Sequence, residues 1–493
     1  MNRFFSTSDE SPILVRLAKY FLLSVTALFF LGIAIISLFY FNAGYLPFEL
    51  TIIGSVLLVL ITLLGVLLLG FLLIQLRSKI HSVALLLGVA FLLRLLWILL
   101  VQTEPEQDFL KMYQAALRFS EGDFGFMTDS RYFVVSPYQL GFVLYEGLLI
   151  KIIGPSVIGL KLINVIVSTV TVYMTYIIGQ RIFDKKVALL SGWFVALYIP
   201  NIVLTSVLTN QIIALFIFLA AIYLFLRNNR WFPVVGFLLF IGNLTRPLAS
   251  ILLIAFLLYG LFFQLPSQKK KLTYLILLAT IPLTFFVSGK LTDQVLLASD
   301  ITEVPISTVN PYWKLALGLN LETEGHWNRE DYQTVNTLET QVQRDAAAKK
   351  LIHQRTKNPG DLAKLMVKKF KRMWNDFDSS ISWATDFKEH FLLKKLLLFL
   401  GQKIQYYFLI LGAFFFILKP SNKKAALFLL LIIIFGYALV HQIVEIQTRY
   451  RYFITPFVAL LSAGFWLSYT PGNLWQSLRS KNSDQLAKEA DQP

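Results

Sequence analysis

The chain has 493 residues, 56% of them hydrophobic and only 15% charged, with no cysteine and a formal net charge of +16. Ordinary soluble domains carry about 25% charged residues, so this composition excludes them and describes a polytopic membrane protein. The lack of cysteine excludes a disulfide, a thiolate nucleophile and a Cys-ligated metal.

Met1 to Pro12 is polar and expected to be cytoplasmic. The first apolar run lacks a small-residue cleavage site, so it reads as a retained span rather than a leader. Runs long enough to cross about 30 Å of hydrocarbon lie at roughly 16–41, 48–76 and 80–102. Arg77, Lys79 and His81 separate the second from the third. With that basic loop inside, the third run exits outward and a first outer loop follows at 103–156.

This loop, EPEQDFLKMYQAALRFSEGDFGFMTDSRYFVVSPYQLGFVLYEGLLIKIIG over Glu104–Gly154, predicts two amphipathic helices around a Gly- and Asp-rich turn. The second opens at Ser136-Pro137 and carries Glu146 and Lys151, which suits a helix lying in the headgroup plane. Charge parity agrees. If 137–153 crossed the membrane, Arg181, Lys185, Lys186 and Lys269-Lys270-Lys271 would all fall outside.

Further runs lie at roughly 157–180, 187–204, 212–227, 231–245, 247–264 and 272–289, then at 401–418, 425–440 and 453–469. The fold class expected is an all-α polytopic membrane protein of about twelve spans with both termini cytoplasmic. Five segments follow: 1–79 with two additional spans; a core module 80–290; an extracytoplasmic domain 291–400; closing spans 401–470; and a tail 471–493. The outer domain is expected to be small and mostly helical, with helices at Gln341–Asn358 and Pro359–Trp374. The second is basic and amphipathic, a pattern suited to an anionic membrane surface. Its aromatic-rich neighbour Asn310–Tyr332 suits a binding loop. Most basic residues sit in short loops beside apolar runs, so the positive charge points to membrane lipid and not to nucleic acid. High Phe and Lys usage points to an AT-rich bacterial source.

Candidate chemistry gathers in three places. Asp108 lies just beyond a span; such a carboxylate is ordinarily only solvated, but Gln107, Lys111, Tyr113 and Arg118 share its helix and suit a general base. Arg246 sits where two short runs turn, and Arg94 lies inside the third span. A guanidinium in such places is costly unless it faces a cavity or an anion, or snorkels to the interface. The stretch His441–Tyr452, HQIVEIQTRYRY, places His441, Glu445, Arg449 and Arg451 among tyrosines, which fits either a phosphate headgroup or an interfacial anchor. No phosphate-binding glycine loop, dinucleotide fingerprint or HExxH appears, and five histidines show no metal spacing.

The order of these features resembles the C-type membrane glycosyltransferases that use polyprenyl-phosphate sugars, among them protein O-mannosyltransferases and the lipid A aminoarabinose transferase. The pieces that carry it are Asp108, Ser136-Pro137-Tyr138-Gln139, Ile153-Gly154, Leu244-Thr245-Arg246-Pro247, Gly318-Leu319-Asn320 to Asp331, Asn358-Pro359 to Trp374, and Arg449-Tyr450-Arg451-Tyr452. They span roughly 80–470. The resemblance implies a sugar moved from a polyprenyl-phosphate donor to an envelope glycan, teichoic acid, lipid or protein on the outer face of the plasma membrane. Asp108 would be catalytic. Lys111, Tyr113, Tyr138, Arg94, Arg246, Asn320, His441, Glu445, Arg449 and Arg451 would bind substrate. Two departures stand out: Phe109 follows Asp108 where a second acid is common, and Asn210-Gln211 stands where an acid often opens the span after the second outer loop. The second departure predicts that no metal or other cofactor is needed. A polysaccharide polymerase or ligase is the alternative enzyme, and a lipid-linked-sugar flippase the alternative non-enzyme; a flippase would be expected to show paired halves and central intramembrane charge.

Overall fold

The computed structural model describes residues 12–39, 52–76, 82–307, 311–385, 392–419 and 424–468. The basic loops at 77–81 and 420–423 and the ends 1–11 and 469–493, on which part of the topology rests, lie outside the described residues.

A backbone in hydrocarbon has no water to bond, so long apolar runs close their N–H and C=O groups within helices. All regular structure among the described residues is helical. Eight helices are long and apolar enough to cross a membrane, and a bent pair makes nine. Three further apolar runs are helical but short: Gln211–Arg227 with 17 residues, and Phe232–Thr245 and Thr455–Ser468 with 14 each. The expected twelve crossings therefore rest on three helices below the usual length of about twenty residues. Ala426–Ile443 and Thr455–Ser468 are mostly buried, the first leaving Leu439 and Ile443 exposed. Ile52–Leu76 leaves Leu64, Leu67 and Phe71 exposed, as a lipid-facing helix does.

The bent pair is Lys185–Leu197 and Ile199–Ser206, turned by 63°. Pro200 in the first turn of the second piece has no N–H to continue the first. The carbonyls freed at the break are met by side chains. Arg94 donates to Ala196 O at 3.0 Å and Val195 O at 3.3 Å, and Gln405 Nε2 donates to Leu197 O at 2.9 Å.

The segment 103–156 forms Gln107–Ser120 and Leu140–Ile153, joined by short helices at Phe126–Asp129 and Arg131–Val135. Leu140–Ile153 is 14 residues, about 21 Å at 1.5 Å per residue, as short as Phe232–Thr245 and Thr455–Ser468. Two glycines let it approach its neighbours: a Cβ on Gly141 would lie 2.0 Å from Leu244 O, and one on Gly147 would lie 2.2 Å from the Phe119 ring. Glu146, expected among headgroups, is instead buried in this packing, which pushes its carboxyl well above the ordinary range.

Lys271–Ala298 runs past the expected end at 289, and Leu392–Leu418 begins before the expected start at 401. Between them lie Pro311–Gly318, Arg329–Asn336, Gln341–Arg355, Pro359–Asn375 and Ser379–Ala384. Thr340 and Gln343 make a reciprocal capping box, and the Asn358 side chain accepts from Gly360 N ahead of the next helix. Trp313, Ala316, Leu317, Val335 and Ala348 form a small separate core. Pro359–Asn375 packs part of its apolar face against the first span and leaves Val367 exposed. Phe370 and Trp374 stack edge-on against Phe29 of Ile13–Phe39, at 6.0 and 4.9 Å.

Candidate active site

Asp108 occupies the first turn of Gln107–Ser120, beyond the end of Val83–Leu100. It is solvent-accessible, and charged groups from two other segments act on it: Lys314, and the Glu445–Arg449 stretch. Enclosure raises its carboxyl above the ordinary value and Glu445 adds to this, while Lys111, Lys314 and Arg449 oppose it. Lys111 lies one turn on, on the same helix face, with its ammonium 5.0 Å from the Tyr132 ring centre.

The opposite wall comes from the turn Thr448–Phe453, which follows Ala426–Ile443. Arg449 is buried in an aromatic cage, 5.1 Å from the Phe109 ring, 5.2 Å from Trp383 and 5.8 Å from Tyr450. Its Nε donates to Gln447 Oε1 at 2.7 Å, and one terminal nitrogen has no protein partner. Arg246, at the end of Phe232–Thr245, lies over the same Tyr450 ring at 4.7 Å. It donates to Asn210 Oδ1 at 2.9 Å, and Asn210 in turn reaches Gln139 Oε1 at 3.5 Å. Gln139 donates to the Tyr132 hydroxyl at 3.1 Å, which closes the ring of contacts back to Lys111.

The two departures from the family pattern acquire physical reasons here. Phe109 packs against Trp383 and forms a wall of the arginine cage, so an acid there would remove that wall. Asn210 offers its oxygen to the Arg246 guanidinium.

Of the expected site residues, Asp108, Lys111, Arg246, Glu445 and Arg449 converge on this cleft. Tyr138 is half-buried on the turn Pro137–Gln139, beside Lys314 and Tyr132. His441 stands behind the wall, its ring 4.1 Å from Tyr437 and 5.8 Å from Tyr450, with Nδ1 on Tyr437 O at 2.8 Å. Four do not join the cleft. Arg94 is fully buried and spends its guanidinium on Ser168 Oγ, Ala90 O and the broken-helix carbonyls. Tyr113 donates to Pro155 O at 3.1 Å on the other side of its helix. Asn320 is consumed by Asp331 Oδ2 at 3.0 Å and by the N–H groups of Glu322 and Thr323, so it builds a turn. Arg451 is buried against Asp376 O at 2.7 Å, Asp378 at 3.6 Å and the Tyr406 ring at 4.7 Å, where it ties loop to core. Arg118 likewise pairs with Asp123 and Asp129 at the surface.

Lys314, Tyr132, Gln139, Gln447 and Trp383 are cleft or supporting residues that sequence reading did not select. Lys314 sits in Pro311–Gly318, about two hundred residues from Asp108, with only its aromatic flanks Tyr312-Trp313 as a signal.

Residues 142–288 match the family described as dolichyl-phosphate-mannose-protein mannosyltransferase. The chain is similar to the C-type glycosyltransferases that use polyprenyl-phosphate sugars. The matched segment, less than a third of the chain, holds Asn210 and Arg246 but neither Asp108 nor Arg449. A solved structure, the archaeal oligosaccharyltransferase AglB from Archaeoglobus fulgidus in complex with an inhibitory peptide and a dolichol-phosphate, is similar at a TM-score of 0.44 and 14% identity. That similarity covers 81% of this chain and 51% of that one, so the chain spans about half the length of that protein. No curated protein matches the sequence.

The Arg94 geometry makes a separate prediction. Arg94→Leu takes the side-chain donor from Ala196 O, while Val195 O keeps Asn201 Nδ2 at 3.3 Å, and should lower stability by about 2–4 kcal/mol. A thermal melt in detergent reads this. The donor KM of the folded fraction should stay at the wild-type value; a donor-specific loss with an unchanged melt would return Arg94 to the substrate.

Proposed function

We propose that the chain is a membrane glycosyltransferase that moves a sugar from a polyprenyl phosphate to a cell-envelope acceptor at the outer face of the plasma membrane. The observation that carries this is the pairing of an accessible carboxylate, Asp108, with two guanidinium groups flanking one tyrosine, of which Arg449 keeps a buried N–H without a partner. A buried donor without a partner is costly, and an anion satisfies it. The phosphate of a lipid-linked sugar is such an anion.

In this reading the acceptor hydroxyl or amine attacks the anomeric carbon, and the bond from that carbon to the phosphate oxygen breaks. The acceptor proton passes to Asp108, whose raised pKa brings it nearer to useful basicity. The departing polyprenyl phosphate carries a growing charge, which Arg246 and Arg449 stabilise in a largely enclosed site. The carboxylate and the paired arginines favour transfer over flipping, because a transporter has no need of a base beside the sugar.

Mass spectrometry of envelope polymers and glycolipids from a deletion strain, with and without complementation, tests the reading and identifies sugar and acceptor together. An unchanged envelope in the deletion strain would overturn it. Metal independence is expected because Asn210 bonds a guanidinium in place of a cation. Transfer should therefore continue in EDTA, and a loss restored by magnesium or manganese would refute this.

A further inference from the structure

The outer helix Pro311–Gly318 meets the end of Ala426–Ile443 unusually closely. A Cβ on Gly318 would lie 2.2 Å from Ile443 O. The Glu445 N–H donates to Lys314 O at 3.0 Å, and the Ile446 N–H to Gly325 O at 3.0 Å. Lys369, buried beneath, donates to Gly318 O at 2.8 Å and Val444 O at 2.7 Å. Two helix ends are thus fastened to each other by backbone bonds and one buried ammonium.

From this junction a line of polar side chains runs into the cleft. Lys314 Nζ donates to Glu445 Oε2. Gln447 Nε2 donates to Glu445 Oε1 at 3.3 Å, and Gln447 Oε1 accepts from Arg449 Nε at 2.7 Å. Each link dictates the next. An ionised carboxylate only accepts, so the Gln447 amide must turn its NH2 toward Glu445 and its oxygen toward Arg449. That oxygen holds Arg449 Nε and leaves the terminal N–H groups for the cleft. Burial acts against the charge on Glu445, but Lys314, with Gln447 and Arg449 beside it, keeps the carboxyl below its ordinary value.

We propose that Lys314 is a positioning residue for the donor phosphate, acting through Glu445 and Gln447 to aim Arg449, so that the outer helical segment and the phosphate site work as one unit. This rests on the donor reading above. Without the ammonium, Glu445 is a buried acid that takes a proton and becomes a donor itself. Gln447 is then free to turn, and an NH2 group facing Arg449 repels the guanidinium it formerly held.

Binding of farnesyl phosphate, a prenyl phosphate without a sugar, is measured calorimetrically on the purified full-length protein in detergent. Lys314→Met and Gln447→Met should each weaken binding about tenfold, and Lys314→Arg should stay within about threefold of wild type, as expected for coupled neighbours. Lys314→Met placed on Arg449→Met should add nothing further, because the relay then has no end. A merely structural Lys314 would instead lower the melting temperature and leave binding by the folded protein unchanged. If Lys314→Met fails to fold, Gln447→Met decides, since it leaves the Lys314–Glu445 pair whole. Wild-type affinity in Gln447→Met, or losses that multiply in the double variant, overturns the relay while leaving the donor reading in place. Failure of the wild-type protein to bind farnesyl phosphate overturns the donor reading and the relay with it.

Discussion

Asp108→Asn should lower transfer by about two to four orders of magnitude, the usual contribution of a positioned acid or base, equivalent to about 2.7–5.4 kcal/mol of barrier. The amide keeps the shape and removes only charge and basicity. Donor binding should change little, because Asp108 faces the cleft and holds no hydrogen bond that shapes the phosphate side. Fold should persist as well: the carboxylate is accessible and the amide keeps its volume. The pH profile gives a second readout. The raised carboxyl must be ionised to take the acceptor proton, so activity should rise with pH through a midpoint above the ordinary carboxylate value and flatten beyond it. Asp123→Asn and Asp129→Asn are the controls, since both acids pair with Arg118 at the surface and otherwise bond only within their own turn, to Gly125 N and Thr128 Oγ1. Wild-type transfer in Asp108→Asn, beside a loss in either control, would remove Asp108 from the chemistry.

Asp108 was legible because local order sufficed: a span end, an acidic entry and an amphipathic helix lie within a few residues of one another. Arg246 was legible in part for a related reason: a cation between two short apolar runs either snorkels to the interface or faces a cavity or an anion. Each apolar run was legible as a helix, since hydrocarbon enforces helicity run by run. What sequence could not supply was the partner of each cation. Arg94 and Arg246 read alike, yet one binds the carbonyls of a helix break and the other stacks on Tyr450. Arg449 and Arg451 differ by two residues, and on the turn Thr448–Phe453 this sends one into the cleft and the other into the core. Asn320 looked like a ligand for substrate because it stands in an aromatic loop, but Asp331 takes one of its N–H groups and the turn's own N–H groups take its oxygen. Lys314 was invisible because its meaning depends on Glu445, 131 positions away.

Arg449→Lys should lose donor affinity by about ten- to a hundredfold although it conserves the charge, about 1.4–2.7 kcal/mol. The reason is geometric. A guanidinium is flat, so it can lie among the rings of Phe109, Trp383 and Tyr450 while Nε–H holds Gln447 and the terminal N–H groups face the anion. An ammonium is a more strongly hydrated point charge on a shorter reach. It cannot hold Gln447 and give two parallel bonds to phosphate oxygens at once, and the aromatic cage desolvates it with less return. Arg246→Lys should cost less, because only one ring and one amide orient Arg246. Lys270→Arg, a charge-conserving exchange at the exposed start of Lys271–Ala298, is the control and should be silent. Farnesyl phosphate affinity separates the possibilities. If Arg449→Lys binds within about twofold of wild type, the cage serves only to anchor the turn, because cation–π contacts of desolvated guanidinium groups are worth enough to be missed when a ligand depends on them. A loss of affinity with an unchanged melting temperature places the phosphate at Arg449, and with Asp108 across the cleft that fixes the line along which sugar and acceptor must meet.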